Sequence, residues 1–380
     1  MKILLVGEYN SSHKTLKDGL VRLGHDAKVI GLGDGFKKRK VDINFKATFR
    51  KGFPLVLRKI VYSLFKIDLF SLHIKRQFFR HQHIFKDNDI VQLINENSFA
   101  TIPKIEKQLL EFIFTNNKNV FLLSCGLDHL SVKFAQEKKF SYSILTPYFE
   151  GKKHKKNYAS IIKYLSPPYV EIHDLIYENC KGVIASDMDY EIPLLGHPKY
   201  LGMVPNPINC EDLQFIPPKI DDKIVIFHGI NRSNYFKKGN YLFEEALAIV
   251  QKKYPDKIEV ITVENVPYEI YINLFNNAHI LLDQVFAYDQ GFNALEAMAK
   301  GKVVFTGAEK EWLDYYNLTE DTVAINALPN AQSIADKLEW LILHPEKIIE
   351  IAQSARQFIK NEHNYIESAK GYLEKWSSNI

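Results

Sequence analysis

Cysteine is scarce in this 380-residue chain: Cys125, Cys180 and Cys210 are its only three, and they are widely spaced. Three thiols cannot all pair, and no two sit at metal-ligand spacing. Neither a disulfide framework nor a cysteine-held metal is expected, and a reducing cytoplasm is the expected setting. Long apolar runs are also absent. None approaches the ~18 residues of a membrane-spanning helix, and the opening run Met1–Gly7 is too short for a signal peptide and reads as a buried first strand. Low-complexity segments are missing, and glycine (18) is rarer than Phe (25) or Tyr (20). Fibrous and disordered chains are thereby excluded, leaving material for roughly two to three packed domains.

Acid is nearly missing from one stretch. Between Phe36 and Lys86, fourteen Lys and Arg face only Asp42 and Asp68, so this block carries +12 in a chain of net +4 and the rest sums to −8. Apolar residues interleave the cations, most densely over 53–70. That stretch fits a helix lying in a lipid interface, or a core helix whose Lys and Arg stems reach outward. Because the whole block is cationic, an anionic membrane surface is the expected partner. No nucleic-acid-binding motif accompanies the charge, so nucleic acid is not.

Short apolar runs alternate with helical periodicity along the chain, the pattern of a βαβ protein. A first series places strands at Lys2–Val6, Ala27–Ile30, Ile90–Ile94, Val120–Ser124, Ser141–Leu145 and Gly182–Ser186, with a helix through Leu16, Leu20 and Leu23. Pro205, Pro207, Pro217 and Pro218 then interrupt both helix and central strand. A second series places strands at Lys223–Phe227, Ile258–Val263, Ile280–Asp283 and Val303–Thr306, with helices near 240–253, 268–277 and 292–300 and further helices over 330–360 and 363–378. The expected domains are 1–205, 206–362 and a last helix, 363–380, returning to the first. The expected class is α/β, two doubly wound halves facing a cleft, with ligands beyond the strand carboxyl ends.

Two constellations in the second half carry chemistry. In the loop after the strand near Asp283, Gln290-Gly291-Phe292-Asn293 leads into a helix whose free N–H groups favour phosphate, and Glu296 lies about one turn in, where a carboxylate can accept two ribose hydroxyls. A generic strand-loop-helix unit with an exposed Glu fits the same residues. Earlier, Arg232 and Lys238-Gly239 follow the half's first strand; a guanidinium fork and an ammonium there suit a departing diphosphate, though a solvated basic loop would look alike.

In order and position, Arg232, Lys238-Gly239, Gly291-Phe292 and Glu296-Ala297-Met298-Ala299-Lys300-Gly301-Lys302-Val303-Val304 resemble the donor half of a GT-B glycosyltransferase, most like glycosyltransferase family 4. Pro205-Asn206-Pro207-Ile208-Asn209 resembles that family's interdomain segment, and the likeness covers most of the chain outside 36–86. It implies two Rossmann-like domains and transfer of a sugar, with retention, from a nucleotide diphosphate sugar to a lipid-linked or polysaccharide acceptor, with no metal or other cofactor. It further implies catalytic roles for Arg232 and Lys238, donor contacts from Glu296, Gln290, Gly291, Phe292 and Asn293, and a base-binding loop at Val266. The family's first glutamate is missing: Tyr288 stands eight positions before Glu296, in a loop two residues short. A nucleotide-sugar epimerase of the same fold, or a silent glycan- or lipid-binding module, therefore stay open.

On the acceptor side, Asn95 and Glu96 follow one strand and His129 another, and both loops are expected to face the cleft. Asp187-Met188-Asp189 imitates a metal-binding Asp-x-Asp but lies far in sequence from the diphosphate residues; Gly31-Leu32-Gly33-Asp34-Gly35 imitates a dinucleotide fingerprint, and His81 and His83 lack further ligands. The combined expectation is a cytoplasmic enzyme of surface glycan assembly, peripheral on the inner face of the plasma membrane.

Overall fold

The computed structural model describes residues 1–33, 41–152 and 155–380. Lys37, Lys38, Arg39 and Lys40 of the basic block, and Asp34 and Gly35 of the glycine-rich turn, lie outside the described residues.

Seven strands form the first sheet: β1 (Lys2–Val6), β2 (Asp26–Gly31), β3 (Ile43–Asn44), β4 (Ile90–Leu93), β5 (Val120–Ser124), β6 (Gly182–Ala185) and β7 (Tyr200–Met203). Their order is β3-β2-β1-β4-β5-β6-β7 and every pairing is parallel. Five more form the second: β8 (Ile224–Ile230), β9 (Ile258–Glu264), β10 (Ile280–Leu282), β11 (Val303–Thr306) and β12 (Ile325–Asn326), ordered β12-β11-β10-β8-β9 and again parallel. Parallel sheets are covered on both faces, which is why β4, β5, β6, β10 and β11 are mostly apolar with every residue buried.

Alternate residues serve the two faces of the first sheet. Leu4, Val6, Val91 and Leu93 pack with Phe70, Ile74 and Phe78 of the helix Leu69–Arg80, while Ile3, Leu5, Phe121 and Leu123 pack with Leu16, Leu20, Tyr372 and Trp376. The last helix, Tyr365–Ser377, thus lies on the first sheet although the chain has passed through the second. Trp376 Nε1–H donates to Gln92 Oε1 at 2.8 Å inside that layer. A Cβ on Gly19 would stand 2.3 Å from the Tyr365 carbonyl oxygen, so only glycine lets the first helix, Ser12–Arg22, approach the last so closely. Where the chain crosses between sheets, its outgoing and returning segments touch: Ile208 N–H donates to His363 O at 2.7 Å, and His363 Nδ1 bonds Asn206 O at 2.9 Å.

Two expectations fail here. Ser141–Leu145 is not a strand but a bend leading to the short helix Thr146–Phe149. Its polar groups reach the other half instead: Ser141 N–H donates to Tyr288 Oη at 2.8 Å, and Tyr142 Oη–H to Glu309. The alternative reading of 53–70 as a core helix fails over its first part, because the helix Gly52–Phe65 buries none of its residues, while Asp68 and Phe70 beyond it are buried. The edge strands β3, β7 and β12 were not foreseen; β3 and β12 are two residues long, too short for any period. Among the described residues, no helix is long and apolar enough to cross a membrane.

Candidate active site

Each sheet reverses its winding once. In the first, the reversal lies between β1 and β4; in the second, between β8 and β10. The loops leaving those strands splay apart at their carboxyl ends and leave a crevice for a ligand.

At the second crevice the side chains converge on Asp283, just past β10. Its buried carboxylate Oδ1 accepts Lys238 Nζ–H at 3.0 Å and Asn293 Nδ2–H at 3.1 Å, and its Oδ2 has no partner among the described residues. Asn293 belongs to the helix Phe292–Ala299 and also bonds the Tyr271 hydroxyl at 3.3 Å. Lys238 is held by its backbone, donating N–H to Asn234 O at 2.8 Å and accepting from Val285 N–H at 2.9 Å. Gly239 turns the chain into the next helix at φ 74°, and a Cβ there would lie 2.7 Å from Val285 Cβ. The loop after β8 and the loop after β10 are therefore tied together at the winding reversal.

Arg232 leaves β8 toward its other neighbour, β9. Its guanidinium pairs with Glu264 at 2.7 Å and lies 4.7 Å from the Tyr235 ring centroid. The hydrogen bond from Arg232 holds the Glu264 carboxyl below its ordinary range, and both side chains are substantially exposed. An exposed pair of this kind yields readily to a more highly charged anion. Asn265 Oδ1 accepts Arg232 N–H at 3.3 Å, which sets the half-buried Val266 beside the exit of β8.

Between the halves lies a cavity of about 270 Å³ whose walls include Tyr9, Asn10 and Gly126 from the first half and Gln290, Gly291 and Phe292 from the second. Gln290 is fixed by Nε2–H donation to Gly307 O at 2.7 Å, while its buried Oε1 has no partner among the described residues. Glu296 lines a separate, smaller recess of about 70 Å³ with Lys14, Thr15 and Asp18 of the first helix and Asn209 and Asp212 of the crossing segment. The structure thus brings together Lys238, Asn293 and the loop 290–292 through Asp283, and sets Arg232 and Glu296 outside the central cavity.

Asp187 and Asp189, far in sequence from the diphosphate residues, meet Asp289 in the lining of the central cavity. Asp289 Oδ2 accepts Met188 N–H at 3.1 Å, and Asp189 accepts Tyr288 N–H at 3.2 Å, so each half supplies a carboxylate to the other's backbone. Asp187 caps the helix Met188–Leu194 and takes the Ser186 hydroxyl at 2.9 Å. Burial pushes Asp187 up to about 7; burial and then the neighbouring Asp187 charge push Asp289 up to about 8 and Asp189 well above the ordinary carboxylate range. Among the described residues, no three or more His, Cys, Asp or Glu are arranged to hold a metal ion.

The first-half candidates lie one layer behind the cavity. Asn95 Nδ2–H donates to the Tyr9 hydroxyl at 3.3 Å and its Oδ1 accepts Asn97 N–H at 2.9 Å. Glu96 is buried, bonded to His173 Nδ1 at 2.6 Å and to His129 N–H at 2.9 Å, and burial raises it to about 7. His129 Nδ1 bonds the Tyr164 carbonyl at 3.0 Å, and burial lowers its basicity. These groups brace the wall that presents Tyr9, Gly126 and Leu127 to the cavity. Tyr9 was the residue to be found there: it follows β1 at the winding reversal, the one positional signal available in the sequence.

Residues 235–374 match the family model described as glycosyl transferase-like. The fold of the whole chain is GT-B. Sucrose-phosphate synthase from Thermosynechococcus elongatus superposes with a TM-score of 0.61 at 13% identity, covering 100% of this chain and 99% of that one. The Anabaena protein HepE, crystallised in complex with UDP and glucose, gives 0.58 at 13% identity over 100% of both chains. A glycosyltransferase from Rickettsia africae gives 0.53 at 14% identity, covering 99% and 97%. No curated protein matches the chain in sequence. In GT-B terms, the second sheet carries the glycosyl transferase-like segment and the crevice at Asp283, and the basic block belongs to the first.

Proposed function

We propose that the chain is a retaining glycosyltransferase that moves a sugar from a nucleotide diphosphate sugar to a hydroxyl of a lipid-linked or polysaccharide acceptor in surface glycan assembly, on the cytoplasmic face of the plasma membrane. The observation that carries this reading is the convergence of Lys238 and Asn293 on Asp283 at the winding reversal, beside a cavity shared by both halves.

In this reading the diphosphate displaces Asp283 as the partner of Lys238 and Glu264 as the partner of Arg232, and lies against the N-terminus of the helix Phe292–Ala299. Those cations stabilise the charge that grows as the bond between the anomeric carbon and the phosphate oxygen breaks. The acceptor oxygen bonds the same face of that carbon, and its proton passes to the departing phosphate. No metal is required, since the protein's own cations and helix N-terminus neutralise the phosphates. Glu296 accepts the ribose hydroxyls, the loop at Val266 receives the base, and Gln290, Gly291 and Phe292 border the sugar.

Glu296→Ala is expected to raise the donor KM by about 10- to 100-fold, the worth of a hydrogen bond to a charged group, with a much smaller change in kcat. Initial rates over a donor series measure this. An unchanged KM removes Glu296 from the donor site. The reading as a whole is tested with a panel of nucleotide sugars, following both hydrolysis and transfer, with the products analysed by NMR. Release of an altered sugar nucleotide without any acceptor would make the protein an epimerase instead.

A further inference from the structure

The helix Gly52–Phe65 is amphipathic but faces the wrong way for a soluble surface. At 100° per residue, Phe53, Val56, Leu57, Ile60 and Leu64 fall on one stripe, and all five are exposed, Phe53 by 79% and Leu64 by 69%. The opposite side, through Pro54, Leu55, Arg58 and Val61, is the partly covered one. A surface helix ordinarily turns its apolar stripe to the core and its charges to water; this one turns its main apolar stripe to solvent and the charge of Arg58 inward.

The reversal is held by an inward charge. Arg58 pairs with the buried carboxylate of Asp68, its Nε at 2.5 Å, and its guanidinium lies 5.0 Å from the Phe70 ring centroid. Asp68 also caps the next helix and takes the Ser71 hydroxyl at 2.6 Å. Breaking that pair to roll the helix over would leave a buried carboxylate uncompensated. Lys51 and Lys66 stand exposed at the two ends of the helix and Lys59 is exposed on its flank beside Val56, with Phe65 exposed by 66% at the last turn. Over the described part of the block, residues 41–86, ten Lys and Arg face Asp42 and Asp68 alone.

We propose that this helix is an interfacial anchor: its apolar stripe enters the acyl boundary of an anionic bilayer while the flanking lysines meet the headgroups. An apolar stripe alone would fit a protein groove or a second copy of the chain. Excess positive charge on the same element favours an anionic lipid surface, because it would repel a second copy and would be matched by lipid phosphates. The anchor also neighbours the cleft. Arg50, two residues before the helix, lies 4.4 Å from the Phe70 ring centroid, and its charge counters slightly the burial that raises the Tyr9 hydroxyl in the cavity wall. Docking through the stripe therefore sets the acceptor-side wall near the membrane plane. This inference deepens the proposed function by naming the surface that meets the membrane, and it rests on that reading only for the identity of the acceptor.

The test is co-sedimentation of the full chain with phosphatidylcholine vesicles and with vesicles containing phosphatidylglycerol, at low and high salt. The wild type should bind the anionic vesicles at low salt and not the neutral ones. Phe53→Glu combined with Leu64→Glu should abolish binding at any salt, and Lys59→Glu combined with Lys66→Glu should weaken it by about tenfold or more. Both pairs sit on exposed positions, so unchanged circular dichroism and an unchanged nucleotide titration would show the fold and donor site intact. Wild type that ignores anionic vesicles overturns the proposal even if nucleotide binds. So does a dimer that the Phe53 and Leu64 changes disperse while vesicles have no effect.

Discussion

Lys238→Ala is expected to lower the transfer rate by about 10²- to 10³-fold, the usual cost of removing one preorganised charge from a developing anion. The same change leaves the buried Asp283 carboxylate without its cation, since Lys238 Nζ is 3.0 Å from it and the remaining donor is the neutral Asn293 amide. A loss of roughly 3 kcal/mol of stability should accompany it. Stability and catalysis therefore have to be separated. The double change Lys238→Ala with Asp283→Asn removes the stranded charge and should recover most of the denaturation midpoint. Turnover should stay low. If the double variant regains activity along with stability, Lys238 is a structural cation and the diphosphate is held by something else.

Raising the pH from about 5 to 8.5 is expected to open the cleft. Asp187 at about 7, Asp289 at about 8, and Asp189 well above the ordinary 3.8 all hold their protons more tightly in the closed form than in a solvated one. Closure is thus fully favoured below about pH 4, where both forms are protonated, and the advantage is lost as pH rises through 7 and 8. The loss accrues between about pH 4 and 8, and because the three carboxylates act on one another it is not the sum of three separate sites. The facing groups Tyr190 and Cys125 are both raised by burial and stay neutral throughout the window; Glu191 adds a like charge. Small-angle scattering across this range should show the radius of gyration increasing, and Asp289→Asn should flatten the change. Glu96 and Glu106, both raised by burial to about 7, add a loss of fold stability with the same sign. They lie outside the cleft, so thermal melting will report them and scattering will not. A radius independent of pH would mean that the carboxylates titrate without prising the halves apart.

Much of this architecture was legible because parallel strands buried on both faces leave continuous apolar runs, as in Val120–Ser124 and Val303–Thr306. Strands of two residues leave no such trace, and Ser141–Leu145 carried a strand-like pattern because Tyr142 and Leu145 are buried for another reason, against the second half and a local cluster. The donor side was read from a contiguous motif whose helix and loop the fold preserves. What sequence spacing concealed was the partner of each cation: Asp283 and Glu264 stand 45 and 32 positions from Lys238 and Arg232, joined only by the order of strands around β8. The cross-cleft bonds of this region were hidden for the same reason, since 99 residues separate Asp189 from Tyr288 N–H and 101 separate Asp289 from Met188 N–H. Orientation was invisible as well. The composition of 53–65 is the same whether its apolar stripe faces the core or the solvent; the inward Arg58–Asp68 pair that holds the observed orientation joins two separate helices.

The most direct test of the account is isothermal titration of the protein with UDP and with GDP, repeated on Arg232→Ala and on Lys238→Ala with Asp283→Asn. The account predicts that the wild type binds at least one of the two nucleotides at one site per chain and that both variants weaken that binding by tenfold or more. Absence of binding heat from either nucleotide at millimolar concentration, or equal affinity in all three proteins, would contradict it.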